Sequence, residues 1–159
     1  VDIDNPKEVG PDRLVDAAAA FSRYGGPVLV LDFGTATTIN VVTRDGRFVG
    51  GAIAPDIRAA HDALVAKAAR LTSVDLVFPE RVIGSNTVAS MQSGIMWGYV
   101  GLIEGLIARI DQELGESATV VATGGFGRLF LDHCSRISAY IPELTLDGLR
   151  LIWSRSHVR

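Results

Sequence analysis

The stretch PVLVLDFGTATTINVVTRDGRFVGGAIAP, residues 27–55, decides the fold. Its first part, 27–33, is a continuous apolar run, which is typical of a strand buried on both faces. The segments at 37–43 and 48–54 are rich in β-forming residues, and the Asp-Gly pair at 45–46 between them is a strong hairpin signal. The stretch therefore predicts three consecutive antiparallel strands joined by tight turns.

Helical and extended segments alternate outside this stretch. Apolar spacing and helix-start residues predict helices at 11–24, 56–71, 86–114, 126–134 and 144–156, strands at 119–123 and 136–141, and a short strand near 74–78. This order indicates an α/β protein with a mixed sheet covered on both faces. By fold analogy the order is ribonuclease-H-like, the unit that the actin and sugar-kinase superfamily uses twice per molecule.

Composition and charge narrow the class of protein. The chain has 159 residues, enough for one sizeable domain, and 48% of them are hydrophobic, which excludes a disordered chain. The net charge of −3 provides no basic surface, so neither nucleic acid nor a membrane is expected as a partner. The single cysteine, Cys134, excludes an internal disulfide framework and fits a reducing cytoplasm, where we expect the protein to be located.

The N-terminus and the longest apolar segment raise two further expectations. The N-terminus lacks the apolar core of a signal peptide, and Glu104 interrupts the apolar run, which we interpret as a buried helix rather than a membrane span. The first residue is Val1 and not methionine. We therefore expect the chain to be a fragment or a processed product.

The turn after the first strand combines one carboxylate with several hydroxyls. Asp32 ends the buried strand, Gly34 permits the close approach of a ligand, and Thr35, Thr37 and Thr38 follow. A carboxylate here suits a hard cation, and the amides and hydroxyls of such a turn donate to phosphate oxygens. The alternative is a tight hairpin in which Asp and Thr have structural roles only.

Two further motifs favour the phosphate interpretation. Gly124 and Gly125 form a strand-to-helix turn, which directs helix N-terminal amides toward an anion, and ligands of open α/β sheets bind at such strand ends. In the segment GPDR at 10–13, Asp12 is a candidate to accept a proton from a substrate hydroxyl, and Arg13 is a candidate to hold an anionic group. Glycine in such turns and an acid in a first helical turn also occur for structural reasons alone.

Four glycines, at 94, 98, 101 and 105, lie along one face of the long predicted helix. Because glycine is costly inside a helix, the stripe predicts that another helix or strand packs very close to it. The partner can belong to a second copy of the chain, in a symmetric dimer through this helix, or to the same subunit, and the sequence does not distinguish the two. In the dimer, Thr87 and Ser90 would lie near the interface.

Five motifs carry a resemblance to a known family: EVGPDRLV, DFGTATT, GGAIAP, IGSNTVASMQSG and TGG, in this order. Together they resemble type III pantothenate kinases, which are members of the actin and sugar-kinase superfamily. The resemblance runs from Asn5 to Trp153. It implies that 1–26 is a linker with the helix of a catalytic aspartate, and that 27–159 is the C-terminal domain of such an enzyme.

The resemblance also implies an activity and its cofactors. Enzymes of this family phosphorylate pantothenate with ATP, the first committed step toward coenzyme A, and need Mg²⁺ and a monovalent cation, K⁺ or NH₄⁺. They are usually homodimers, and here the dimer would form through the long helix from Asn86.

The family pattern assigns a role to each matching residue. Asp12 becomes the proton acceptor and Asp32 the ligand of the monovalent cation. The pantothenate contacts fall on Gly10, Pro11, Asp12, Arg13 and Thr87, with Thr87 reaching the substrate across the dimer interface. The family's ATP contact falls on Thr35, and the glycine turns add Gly34, Gly124 and Gly125 as candidate ATP contacts.

The chain also departs from the family pattern. The N-terminal domain of the family, with its D-x-G-N-T phosphate motif, does not precede these motifs, so we expect the isolated chain to have little or no kinase activity. Single positions differ as well, namely Ile3, Pro11, Asn40, Asp56 and Ser85, and Asp56 is expected to weaken phosphate binding. These departures motivate an alternative hypothesis, a non-catalytic paralogue that acts as a binding or regulatory module.

Overall fold

Five strands form one mixed sheet in the computed structural model, which describes residues 1–157. The strands are β1 (Val28–Phe33), β2 (Ala36–Val42), β3 (Phe48–Pro55), β4 (Thr119–Gly124) and β5 (Ala139–Tyr140). Their order across the sheet is β3-β2-β1-β4-β5. β1, β2 and β3 are antiparallel neighbours, whereas β4 and β5 run parallel to β1. The α/β class and the three antiparallel strands predicted from 27–55 are therefore confirmed.

Helices cover both faces of the sheet. They are α1 (Pro11–Tyr24), α2 (Ile57–Lys67), α3 (Thr87–Leu114), α4 (Gly127–Leu131) and α5 (Leu144–His157). α1 and α5 pack on the face that carries Val28 and Val30, while α2, α3 and α4 contribute to the core on the face of Leu29 and Leu31. Since β1 is central and its apolar side chains on both faces are buried, its continuous apolar run is explained.

The layer of α1 and α5 depends on one close approach between the two helices. A Cβ on Gly148 of α5 would collide with the backbone oxygen of Val15 on α1. Glycine at this point lets the helices cross almost in backbone contact. As a result α1 is packed firmly on the sheet, and the residues at its N-terminal end are held at a fixed place beside β1 and β2.

Four predicted elements differ from the structure. The segment 74–78 is not a strand, because the amide of Val74 donates to His61 Nε2 and the carbonyl of Asp75 accepts from the Gln92 side chain, so neither takes part in a ladder. α2 ends at Lys67 and α4 at Leu131, both earlier than predicted. β5 is reduced to two residues. The division at 26/27 stays a prediction, and residues 158–159 of the predicted domain lie outside the described residues.

Candidate functional site

Asp32 lies at the carboxyl end of β1, between the ends of two neighbouring strands. It is in register with Thr38 of β2 and with Thr123 of β4. A Cβ on Gly124 would be 2.7 Å from Asp32 Oδ1, and a Cβ on Gly34 would be 3.4 Å from Asp32 Oδ2. The structure therefore brings the two predicted glycine turns together around this carboxylate.

Gly124 is required by the geometry of this turn. Its φ is +84°, a region that favours glycine, and a Cβ would also lie 2.5 Å from the carbonyl oxygen of Phe33. Any other residue at position 124 would therefore clash with the carboxylate of Asp32.

The N-terminal half of α1 places two more carboxylates near Asp32. Asp12 is exposed in the first turn, and Asp16 is only 3% exposed one turn later. Burial, and after it the negative charges of Asp16 and Asp12, together raise the pKa of Asp32 to about 6. The three acids thus share one electrostatic environment at this end of the sheet.

Asp16 is a member of this group that the sequence predictions missed. Burial raises its pKa, a hydrogen bond with the Thr145 side chain opposes the rise, and the charge of Asp12 adds to it. Its Oδ1 has no hydrogen-bond partner among the described residues. The signal was present in the sequence, because Asp16 is four residues after Asp12 and such residues share a helix face.

We expect Asp32→Asn to change how stability depends on pH. The folded pKa of about 6 exceeds the ordinary value of 3.8, so between these values the native state binds more protons than the unfolded state. Stability from this group is therefore present at low pH and is lost as pH rises through 6. The variant should gain up to about 2–3 kcal/mol relative to the parent between pH 4 and 7, as measured by urea unfolding in potassium-free buffer.

The exposed Asp132 provides a matched control for this experiment. Asp132→Asn removes one negative charge away from the site and controls for the change in net charge. If the difference in unfolding free energy between Asp32→Asn and the parent stays constant from pH 4 to pH 7, the raised pKa of Asp32 is contradicted.

Arg13 is anchored to β2 by a buried amide. Its Nε donates to Asn40 Oδ1 at 2.6 Å, and Asn40 Nδ2 donates to Thr38 Oγ1 at 3.3 Å. The guanidinium carbon lies 5.7 Å from the ring centroid of Phe48. The arginine is thus held on the sheet face that carries Asp32, next to Thr38, which is paired with Asp32 across the two strands.

Gly10, the residue before α1, leaves space for the side chain of Asp12, the predicted proton acceptor. Gly10 is the N-cap of the helix, Pro11 is its first residue, and a Cβ on Gly10 would collide with Asp12 Oδ1. Glycine at this position leaves room for the Asp12 carboxylate, and proline fixes the backbone for the helix start.

The threonines of the β1–β2 turn do not all face the site. Thr37 is 1% exposed and its Oγ1 lies 2.5 Å from the Tyr99 hydroxyl on the α3 face, so it is unavailable to a phosphate. Thr38 accepts from Asn40, whereas Thr35 is exposed. Of the three predicted hydroxyl donors, Thr37 is therefore engaged, Thr35 is exposed, and Thr38 is half-buried with a hydroxyl that can still donate.

The glycine amides of the two turns are already engaged. The amide of Gly34 donates to Ala36 O at 3.2 Å, and that of Gly125 donates to Phe33 O at 3.0 Å. These two amides are therefore not available to a phosphate in this structure, and donation by the other amides of the turns stays a prediction. What the glycines provide is space, since a Cβ on Gly125 would meet no atom within 4 Å.

Asp56 has a structural role that the sequence interpretation overlooked. It is the N-cap of α2, and its Oδ2 accepts from the amides of Arg58 at 3.0 Å and Ala59 at 3.4 Å. Aspartate is among the preferred residues at this position. Part of the negative charge of Asp56 is thus stabilised by hydrogen bonds from the first amides of α2.

Thr87 is not brought to the other predicted site residues. It is exposed at the first position of α3, on the opposite side of the sheet from α1. There it lines a cavity of 740 Å³ between α2, α3 and the preceding loop, with Pro55, Ser85 and Gly98. Within one chain, the sheet separates Thr87 from Asp12.

The glycine face of α3 is open in the described part of the chain. A Cβ on Gly94, Gly98 or Gly101 would meet nothing within 4 Å, and one on Gly105 would meet only the Arg109 guanidinium at 3.4 Å. The prediction that these glycines pack closely against another element of the same subunit is therefore wrong for residues 1–157. The alternative, a dimer through this helix, stays a prediction.

The donor set around Asp32 suits a cation that takes few protein carboxylates. Within residues 1–157, no three His, Cys, Asp or Glu side chains are arranged to hold a metal ion by themselves. The Asp32 carboxylate can serve as one oxygen ligand of a cation, and Mg²⁺ usually binds one or two carboxylates together with substrate phosphates and water.

Within residues 1–157, none of the helices has the length and apolar character needed to span a membrane.

The fold and the site define the class of this protein, an α/β domain with a five-stranded mixed sheet and a group of acidic side chains at the carboxyl end of its central strand. The family model for Type III pantothenate kinase matches residues 1–109. With more than half of its length matched, the chain belongs to the type III pantothenate kinase family.

Curated relatives agree with this assignment. The type III pantothenate kinase of Roseiflexus sp. (strain RS-1) is 54% identical over 151 residues, which are 95% of this chain and 59% of the relative. That of Moorella thermoacetica is 51% identical over 153 residues, 96% of this chain and 60% of the relative. The chain thus spans about three fifths of the length of these relatives.

Solved structures show the same fold at low identity. A chain described as a Baf family transcriptional activator from Campylobacter jejuni aligns with a TM-score of 0.72 at 20% identity, over 98% of this chain and 69% of that chain. A chain of the Alp12 filament aligns with a TM-score of 0.60 at 10% identity, over 90% of this chain and 53% of that chain. These similarities concern the fold alone.

Proposed function

We propose that the protein to which this chain belongs phosphorylates pantothenate with ATP, and that the chain supplies the half of the site that carries Asp12, Arg13 and Asp32. The observation that carries the proposal is the placement of these side chains at one end of the sheet, in a chain 54% identical to a curated type III pantothenate kinase. At such identity the alternative of a non-catalytic paralogue is not favoured.

The fold is in our proposal a ribonuclease-H-like unit, one half of a duplicated kinase fold. The strand order and the change from antiparallel to parallel pairing support it. The relatives' remaining length is sufficient for a second unit. The protein would then close its ATP cleft between the two units.

Asp12 is the proposed proton acceptor for the pantothenate hydroxyl. The hydroxyl oxygen forms a bond to the γ-phosphorus, the bond from that phosphorus to the β–γ bridging oxygen breaks, ADP leaves, and the hydroxyl proton passes to Asp12. Asp12 is exposed beside the site, whereas Asp16 is buried and has no access to a substrate. Since phosphoryl transfer depends mostly on positioning and charge neutralisation, a fixed carboxylate and a fixed arginine suit it.

Asp32 is the proposed ligand of K⁺ or NH₄⁺. Its carboxylate lies where the two glycine turns meet, next to the exposed Thr35 that would contact ATP. When bound, such a cation and Mg²⁺ would neutralise phosphate charge. In the proposed ATP site Gly125 leaves room for the nucleotide, whereas Gly34 and Gly124 leave room for the Asp32 carboxylate.

A homodimer through α3 is the proposed assembly. The open glycine face of this helix and the position of Thr87 at its start support it, because the Thr87 that reaches pantothenate would then come from the second copy. The cytoplasm is the proposed location, in keeping with a coenzyme precursor as substrate.

We expect Gly98→Leu to convert the dimer into a monomer. A leucine side chain on the open face would keep the two helices apart and cost several kcal/mol if they pack at the glycines. Sedimentation velocity of the natural full-length protein measures the result, and Ser22→Leu on the exposed side of α1 is the control. A dimer that withstands Gly98→Leu would place the interface elsewhere.

A coupled ADP-release assay on the natural full-length protein tests the proposed function directly. We expect ADP release that depends on both pantothenate and a monovalent cation. The 159-residue chain alone should show little or none. Failure of the full-length protein to phosphorylate pantothenate, with ATP binding intact, would overturn the proposal.

A further inference from the structure

We propose that Asn40 is a positioning residue, whose buried amide oxygen holds the Arg13 guanidinium so that its outer edge faces the anionic group of the substrate. The inference rests on the proposed function and adds to it a residue that does not itself touch the substrate.

The contact between the two side chains leaves little freedom. Asn40 is 0% exposed, its Oδ1 accepts from Arg13 Nε at 2.6 Å, and its Nδ2 donates to Thr38 Oγ1 at 3.3 Å. Arginine has donors only, so the amide oxygen must face Arg13 and the amide nitrogen must face Thr38. Both ends of the amide are therefore used, as is usual for a buried polar group.

Anchoring through Nε determines which part of the guanidinium remains available. In the part of the chain that the structure describes, Arg13 forms no ion pair, and its terminal nitrogens form no hydrogen bond. The Phe48 ring beside the guanidinium limits its movement further. Two terminal NH₂ groups on a fixed plane match the two oxygens of a carboxylate or phosphate.

The role depends on an acceptor at position 40 and not on its charge. A carboxylate in place of the amide can accept from Nε equally well, and the Thr38 hydroxyl can turn to donate to it. Leucine has nearly the same volume but no acceptor. Asn40→Asp should therefore keep Arg13 in place, and Asn40→Leu should release it.

The experiment compares these variants in the natural full-length protein, using pantothenate and panthenol, the analogue in which an alcohol replaces the carboxylate. We expect Asn40→Leu to raise the KM for pantothenate about tenfold or more, the usual effect of losing a hydrogen bond to a charged group. kcat should change much less, panthenol should be affected little, and Asn40→Asp should stay close to the parent.

Three further measurements keep the result decisive. If Asn40→Leu does not fold, Asn40→Ser, whose hydroxyl is too short to reach Arg13, replaces it. In an Arg13→Ala background the leucine substitution should have no additional effect on KM. Nitrogen-15 NMR should show an Arg13 Nε–H protected from exchange in the parent and in Asn40→Asp, and unprotected in Asn40→Leu.

The outcomes separate the inference from the proposed function. No pantothenate turnover in the parent overturns the proposed function, while the NMR comparison still decides whether Asn40 holds Arg13. Equal losses with pantothenate and panthenol, or equal losses in the leucine and aspartate variants, would show a structural role and overturn the inference. An unprotected Arg13 Nε–H in the parent would also overturn it.

Discussion

Replacing Asp12 by asparagine is expected to lower kcat by about a hundredfold or more, the usual contribution of a positioned general base. The substitution keeps the shape of the side chain and the helix start after Gly10 and Pro11. It removes the carboxylate that we propose as the acceptor of the proton from the substrate hydroxyl. Steady-state kinetics of the natural full-length protein at saturating ATP and pantothenate measure the effect.

The placement of Asp12 makes this experiment specific. The carboxylate is exposed in the first turn of α1, so asparagine leaves no unpaired buried charge and should fold normally. The KM for ATP should stay within about twofold, because the proposed ATP contacts lie on the turns after β1 and β4. Asp132→Asn is the control, and a kcat within threefold of the parent would remove Asp12 from its role as proton acceptor.

The second large effect is expected at Asp32. Asp32→Ala removes the one carboxylate that lies between Gly34 and Gly124, and with it the proposed ligand for K⁺ or NH₄⁺. Activation by these cations should disappear, and kcat/KM at saturating potassium should fall by about tenfold or more, since preorganised charge stabilises phosphoryl transfer. A potassium titration with sodium as the matched salt measures the loss.

Asp32→Asn adds a graded comparison to that experiment. Its amide keeps one oxygen ligand but no charge, so the variant should retain a weak response at higher potassium. If Asp32→Ala responds to potassium like the parent, the cation binds elsewhere and Asp32 has a structural role in the turn.

Local patterns predicted most of the fold. The segment 27–55 contains its own turn signals and apolar runs, so its three strands and their antiparallel order followed from the sequence. The segment 74–78 has the same β-forming composition but forms no strand, because His61 and Gln92 bind its backbone groups. Composition alone does not reveal which partner a backbone group finds.

The site was predictable where it depends on strand ends, and not where it depends on packing between elements. The rule that ligands bind at the carboxyl ends of strands correctly brought Asp32 and Gly124 together. The contact between Arg13 and Asn40 joins a helix to a strand 27 residues away, and no local pattern encodes it. Likewise, the engaged amides of Gly34 and Gly125 became visible only with the turn geometry.

The loop before α3 has a consequence for how the two halves of the site open. Its carbonyls accept from side chains of α3, at Asp75 from Gln92, at Val82 from Ser93 and at Gly84 from Ser90. Among residues 80–86 the bonds engage carbonyls, and no amide donates a hydrogen bond in the described part of the chain, so the loop next to Thr87 should exchange its amide hydrogens rapidly by local opening. The backbone of Asp32 lies in the central strand and should open only with the whole sheet. We therefore expect warming to loosen the loop next to Thr87 well before the central strand, so that the proposed contact between Thr87 and the substrate is lost at temperatures at which the protein as a whole is still folded.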